Sequence, residues 1–169
     1  MRGGNEGEGC RYIDSTGRME SSNPATLAIK DKSNLILGDK LLNEKNYEAA
    51  TEALDRVRLS GPFSNRALLG SGWADASRDR FDRALVPWSV LAEREVTDPA
   101  VQEALLAVPF AYARLGVYSQ AAVKYGRALE AFGKEIDKLG ASIASIREGK
   151  FLKALVREAD PKAFIVIGQ

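Results

Sequence analysis

The sequence predicts an all-α chain of short antiparallel helices followed by one extended helix. Apolar residues recur at steps of three and four in segments of roughly 13–16 residues, long enough for helices. Short turn-like breaks near Glu44–Asn46, Ser60–Ser64, Arg78–Asp79, Thr97–Asp98 and Leu115–Val117 separate these segments. No strict alternation of apolar and polar residues appears before the last residues, so no sheet is expected.

Taken in order, residues 1–23 are rich in Gly, Ser, Asn and charge and read as a poorly ordered arm, with Arg11-Tyr12-Ile13 as a short extended piece. Ser22 or Asn23 can cap a first helix that has Pro24 in its opening turn. Leu27, Leu35, Ile36, Leu37, Leu41 and Leu42 give that helix its apolar positions. Connections of a few residues then force each helix back against the one before it. The extended helix runs from about Ser119 toward Glu148. Ala122, Tyr125, Leu129, Phe132, Ile136, Leu139, Ile143 and Ile146 form one apolar stripe along it. Gly126, Gly133 and Gly140 recur every seven residues on it, which fits either close helix packing or local weakness. Residues 24–158 form the helical domain. Its last element, Phe151 to Glu158, ends before Asp160-Pro161, and residues 159–169 are an apolar, β-prone tail containing Phe164–Ile167.

Composition bounds the chemistry. The chain has 169 residues, 45% hydrophobic and 28% charged, which suits one globular domain. Its 24 basic and 23 acidic residues leave a net charge of +1, and the basic ones form no stripe, so no nucleic-acid partner is expected. No apolar run approaches the ~18 residues that span a membrane, so no membrane insertion is expected. Histidine is absent and Cys10 is the single cysteine, which leaves no metal set, no nucleophile–base triad and no internal disulfide. Neither a cofactor nor an enzymatic activity is expected. Asp75, Asp79 and Asp82 read as solvated charge. The start, Met1 to Cys10, has no apolar segment of the kind a leader needs, and its Gly-rich character fits a segment of a longer protein. The cytoplasm is the default compartment, with an exported or membrane-associated parent protein as the alternative.

An internal repeat carries the functional reading. Tyr47-Glu-Ala-Ala50, Phe81-Asp-Arg-Ala84 and Tyr118-Ser-Gln-Ala121 place an aromatic three residues before an alanine, and the alanines lie 34 and then 37 residues apart. Gly38 and Gly72 precede the first two alanines by twelve residues. Leu54, Trp88 and Tyr125 follow the three alanines by four residues, and Val57, Leu91 and Ala128 by seven. Small residues (Gly38, Ala50, Gly72, Ala84, Ala121) let paired helices approach. Large ones (Tyr47, Leu54, Phe81, Trp88, Tyr118, Tyr125) fill the space between them.

This pattern resembles the tetratricopeptide repeat, a 34-residue helix–turn–helix unit. The resemblance covers about Asp31 to Leu139, in units of about 31–64, 65–101 and 102–139. It implies a right-handed solenoid of antiparallel helix pairs. Pro109 stands where the family prefers glycine, Pro87 lies inside a second helix, and Asp75 takes a place usually large and apolar. A kinked, irregular superhelix is therefore expected.

By the same resemblance, the first helices of successive units line a concave groove for a peptide or helix of another protein. The groove-facing places are Lys32, Leu35, Asp39 and Leu42, then Arg66, Leu69, Trp73 and Ser77, then Glu103, Leu106, Phe110 and Arg114. Leu35, Leu69 and Leu106 share one place, and Trp73 and Phe110 another, which implies an apolar ladder flanked by charge. Leu35 and Asp39 stand where members that clamp a C-terminal carboxylate carry lysine and asparagine, so that clamp is not expected. The groove is open to a partner or filled by the arm or the long helix. The leading expectation is a non-catalytic interaction scaffold. The alternative is a self-associating spacer segment of a larger bacterial protein, a homo-oligomer whose groove its own chain fills.

Overall fold

A computed structural model describes residues 3–149 as seven helices, with no strand among the described residues. They are α1 (Gly3–Gly17), α2 (Pro24–Asn43), α3 (Tyr47–Leu54), α4 (Ser64–Ala76), α5 (Phe81–Ala92), α6 (Pro99–Arg114) and α7 (Tyr118–Arg147). The chain divides into two units, Met1–Ala128 and Leu129–Gln169, so that α7 begins in the first and continues in the second. The expected last helix (Phe151 to Glu158) and the apolar tail lie outside the described residues.

Helix starts follow the capping signals. Asn23 caps α2 by accepting from the backbone N–H groups of Ala25 and Thr26, with Pro24 next to it. Asp98 caps α6 in the same way through Ala100 N–H at 2.8 Å, with Pro99 following. A side-chain acceptor here satisfies a donor that has no partner within the helix, and proline loses nothing at a position whose N–H is unpaired anyway. Both α5 and α6 continue through their internal prolines, Pro87 and Pro109.

The turns after the three first helices share one geometry. Lys45, Asp79 and Gly116 all have left-handed backbones, with φ of 61°, 57° and 76°. In each turn the next N–H reaches back to a carbonyl five residues earlier: Asn46 to Leu41 at 2.9 Å, Arg80 to Asp75 at 3.0 Å and Val117 to Tyr112 at 2.9 Å. Such bonds satisfy the last carbonyls of a helix and reverse the chain. The three left-handed residues are spaced like the three alanines, 34 and 37 apart.

Within the first two pairs, a glycine receives a large side chain. A Cβ added to Gly38 would lie 2.4 Å from Leu54 Cδ2, and one added to Gly72 only 2.1 Å from Trp88 Nε1. At Gly72 the bare backbone lets the buried indole donate to the Leu69 carbonyl at 3.2 Å. Ala50, Leu54, Phe81, Ala84, Trp88 and Ala121 are buried, and Val57, Leu91 and Ala128 with them. Tyr47 is half-buried.

Tyr118 and Tyr125 depart from the expectation: they are 72% and 44% exposed. Pro109 stands twelve residues before Ala121, where Gly38 and Gly72 stand before Ala50 and Ala84, and the buried residues of α7 are small, Ala121 and Ala128. The glycines of α7 are not close-packing sites among the described residues either. A Cβ at Gly126, Gly133 or Gly140 meets no described atom within 4 Å.

Polar side chains lock the ends of the pairs. Asp31 is wholly buried and takes the Arg58 guanidinium at 2.7 Å and the Arg58 backbone N–H at 3.2 Å. This draws the chain out of α3 after eight residues, shorter than the periodicity predicts. Thirty-four residues on, Asn65 takes the place of Asp31 and is bonded by Arg94, which also donates to Ser64 Oγ at 2.6 Å.

The expected arm is instead helix α1, packed on α2. Buried Asn34 donates to the Gly17 carbonyl at 2.9 Å, and Arg56 pairs with Asp14 at 2.8 Å. Arg11-Tyr12-Ile13 lies inside this helix, not in an extended piece.

Two identical substitutions are expected to act in opposite directions. Gly72→Ala drives a methyl into the Trp88 indole and is expected to cost about 1–3 kcal/mol in urea unfolding. Gly126→Ala adds a methyl in open space and gains helix propensity, a stabilisation of up to about 1 kcal/mol by the same assay.

Candidate protein-binding face

The three first helices each bring one row of side chains to a common side. α4 packs against both α2 and α6, so the rows lie next to one another. Polar groups tie them across the helix boundaries. Asp39 of α2 pairs with Arg66 of α4 at 2.7 Å, and Trp73 of α4 donates its indole N–H to Glu103 of α6 at 2.6 Å. Arg114 of α6 reaches Asp79 at 3.1 Å and also lies 4.7 Å above the Phe81 ring.

The aromatics of the face rest on aromatics of the second helices. Trp73 meets Trp88 edge-on with ring centroids 4.9 Å apart, and Phe110 meets Phe81 likewise at 5.7 Å. Such edge-to-face pairs add about 0.5–1.5 kcal/mol beyond the area they bury. Trp73 and Phe110 thus occupy equivalent places, but both are supported by α5, Trp73 from the helix that follows it and Phe110 from the helix that precedes it. Phe81, which the repeat assigned to packing alone, also orients Phe110 and Arg114.

The leucines do not form the uniform exposed ladder that the shared register predicts. Leu35 is 2% exposed, clustered with Leu54, Val57 and Ala67. Leu69 is half-buried against Val101 and Ala104. Leu106 is 49% exposed. The reason is positional. α4 covers the α2 leucine and α6 covers the α4 leucine, whereas no further first helix among the described residues follows α6. Leu42 is half-buried, and Lys32 and Ser77 are exposed at the ends of their rows.

Ligand-accessible apolar surface on this side is therefore concentrated on α6. Glu103, Leu106, Phe110 and Arg114 are all exposed and sit on one helical face. Two apolar side chains lie between a carboxylate and a guanidinium, which suits an apolar anchor residue flanked by charge.

Electrostatics on the α2 side differ. Burial pushes the Asp39 carboxyl above its ordinary value of 3.8, and the Arg66 guanidinium opposes this. Asp75, read from sequence as solvated, is buried and paired with Arg80 at 2.9 Å. Asp79 and Asp82 are exposed. Among the described residues, no three His, Cys, Asp or Glu side chains converge as metal ligands, and no helix is long and apolar enough to cross a membrane.

Comparison with known protein families and with curated proteins gives no match to this chain.

The raised Asp39 value has a sign that can be measured. A carboxyl whose folded value exceeds its unfolded one favours folding when protonated, so stability is lost as pH rises through that window. Asp39→Asn is therefore expected to melt at or above the wild-type temperature at pH 7, despite losing an exposed ion pair with little intrinsic worth. That advantage is expected to shrink as pH falls toward about 4, because the folded wild-type carboxyl takes up its proton above its ordinary value, and to be gone below that. Thermal melts of both proteins across this range check it.

Proposed function

We propose that the chain is a non-catalytic protein-interaction module of the tetratricopeptide type, a solenoid of three helix pairs. It takes a peptide or helix of another protein on the side formed by α2, α4 and α6. Support for the architecture comes from three turns of one geometry at the repeat spacing, the glycine-to-large interlock of the first two pairs, and the stacking of α4 between α2 and α6.

The observation that carries the binding reading is the exposed row on α6. Leu106 is 49% and Phe110 36% exposed, within reach of the Glu103 and Arg114 charges. Aromatics and arginine supply most hot spots of protein interfaces, and Phe110 is already held by Phe81. A rigid aromatic loses little freedom when a partner covers it. The partner class is a segment with an apolar or aromatic anchor at helical or extended spacing and charges of both signs beside it.

Selection of a displayed random-peptide library on the purified chain tests this. Enriched peptides are expected to carry such an anchor and to bind Leu106→Glu at least about tenfold more weakly than wild type, in line with loss of a hot-spot contact. Leu106 is the position of choice because its exposed side chain leaves the fold intact, which far-UV circular dichroism verifies. Absence of enrichment, or peptides indifferent to Leu106→Glu, would count against the proposal.

A further inference from the structure

The second unit holds an apolar row of which five residues of six are exposed. Leu129, Phe132, Ile136, Leu139, Ile143 and Ile146 follow one another at steps of three, four, three, four and three. Leu129 is 75% exposed and Ile136 67%, and Leu139, Ile143 and Ile146 are each half exposed or more, while Phe132 is partly buried.

The period of the row indicates what fits it. A straight helix has about 3.6 residues per turn, so a strict seven-residue repeat drifts off a flat surface by about 20° per repeat. The same repeat stays in register with another helix that winds around it. The row therefore suits a coiled-coil mate better than the side of a globular body.

The flanks indicate which mate. Positions beside a coiled-coil seam usually carry the charges that choose a partner. Here one flank is Gly133, Gly140 and Arg147, and the other is Glu135 and Ser142, with Glu135 already paired to Lys138 of the same helix at 3.5 Å. One acid and one base do not make a repeating charge code for a foreign helix. Each glycine costs about 1 kcal/mol against alanine inside a helix. Among the described residues, neither has a neighbour that would require the missing methyl.

We propose that this face is a self-association seam, on which α7 of a second copy of the chain lies antiparallel. The row is self-complementary in that direction. Leu129 of one copy falls opposite Ile146 of the other, Phe132 opposite Ile143, and Ile136 opposite Leu139. Gly133 then faces Gly140, which lets the two backbones close on that side. Glu135 faces Ser142, so no two carboxylates oppose each other across the seam. A parallel pair would instead set Gly140 beside Glu135 and lose the glycine-to-glycine approach. Covering six such side chains on each of two helices removes on the order of 1,200 Å² from water, the lower bound for a specific interface. The seam uses none of the residues proposed to bind a partner on α6, so the two readings stand or fall separately.

Sedimentation equilibrium of the full chain over micromolar to submillimolar concentrations tests the association. The expected mass is twice the 18.3 kDa of one chain, and the double variant Ile136→Glu/Leu139→Glu is expected to return to one chain. Trp73 and Trp88, both in the first unit, report by fluorescence that this unit stays folded in the variant. Orientation is read by mild oxidation in a Cys10→Ser background. Glu135→Cys combined with Ser142→Cys is expected to cross-link two chains, and either change alone is not. Two positions seven apart on one helix are about 10 Å from each other, too far to bridge within a chain. A wild-type chain that remains single at all concentrations overturns the proposal, whether another protein or the chain's own residues cover the row. A dimer that survives the double variant also overturns it. A dimer that the paired cysteines fail to cross-link overturns the antiparallel arrangement.

Discussion

The fold depends on a missing methyl group. At Gly72 the backbone of α4 lies bare, and the Trp88 indole comes close enough to bond the Leu69 carbonyl. From that contact a chain of packing leads outward: Trp88 supports Trp73 edge-on, and Trp73 bonds Glu103 on the next first helix. Gly38 and Leu54 repeat the arrangement one unit earlier. Gly70 extends it between units, since a Cβ there would press on Leu54 and Leu42. Interiors packed this tightly transmit position as well as energy. The orientation of the face formed by α2, α4 and α6 follows from the depth at which each large side chain enters its glycine notch.

The third unit ends this regime. Pro109 stands in the place of Gly38 and Gly72 and is buried, Tyr125 is exposed, and Ala121 and Ala128 are buried. α6 has no further first helix on it among the described residues, so Leu106 and Phe110 keep the exposure that Leu35 has lost. On α7, Leu129, Ile136, Leu139, Ile143 and Ile146 are exposed as well. Both proposed contact surfaces thus lie beyond the last glycine notch among the described residues.

Much of this was legible in the residues. The helices from α2 to α7, a cap at Ser22 or Asn23, the breaks and the length of α7 all follow from local periodicity and turn chemistry, which depend on neighbours in sequence. The left-handed turns at Lys45 and Asp79 were not legible, because neither residue is the glycine or asparagine that usually marks the conformation. Nor was α1, whose many glycines and few apolar residues hide a helix held by Asn34 and Arg56 from elsewhere in the chain. The site was legible only in register. Leu35, Leu69 and Leu106 share one place in the repeat, yet their exposure is decided by which helix comes next. The buried pairs of Asp31 and Asp75 escaped notice for the same reason, since their arginine partners are supplied by tertiary packing.

The central claim is that the glycine notch and the large side chain entering it act as one unit. A double-mutant cycle between Gly72→Ala and Trp88→Leu, read by urea unfolding, measures this directly. The account predicts that Gly72→Ala costs much less once the indole is gone, with a coupling of more than about 1 kcal/mol between the two sites. Additive costs, agreeing within about 0.5 kcal/mol, would contradict it.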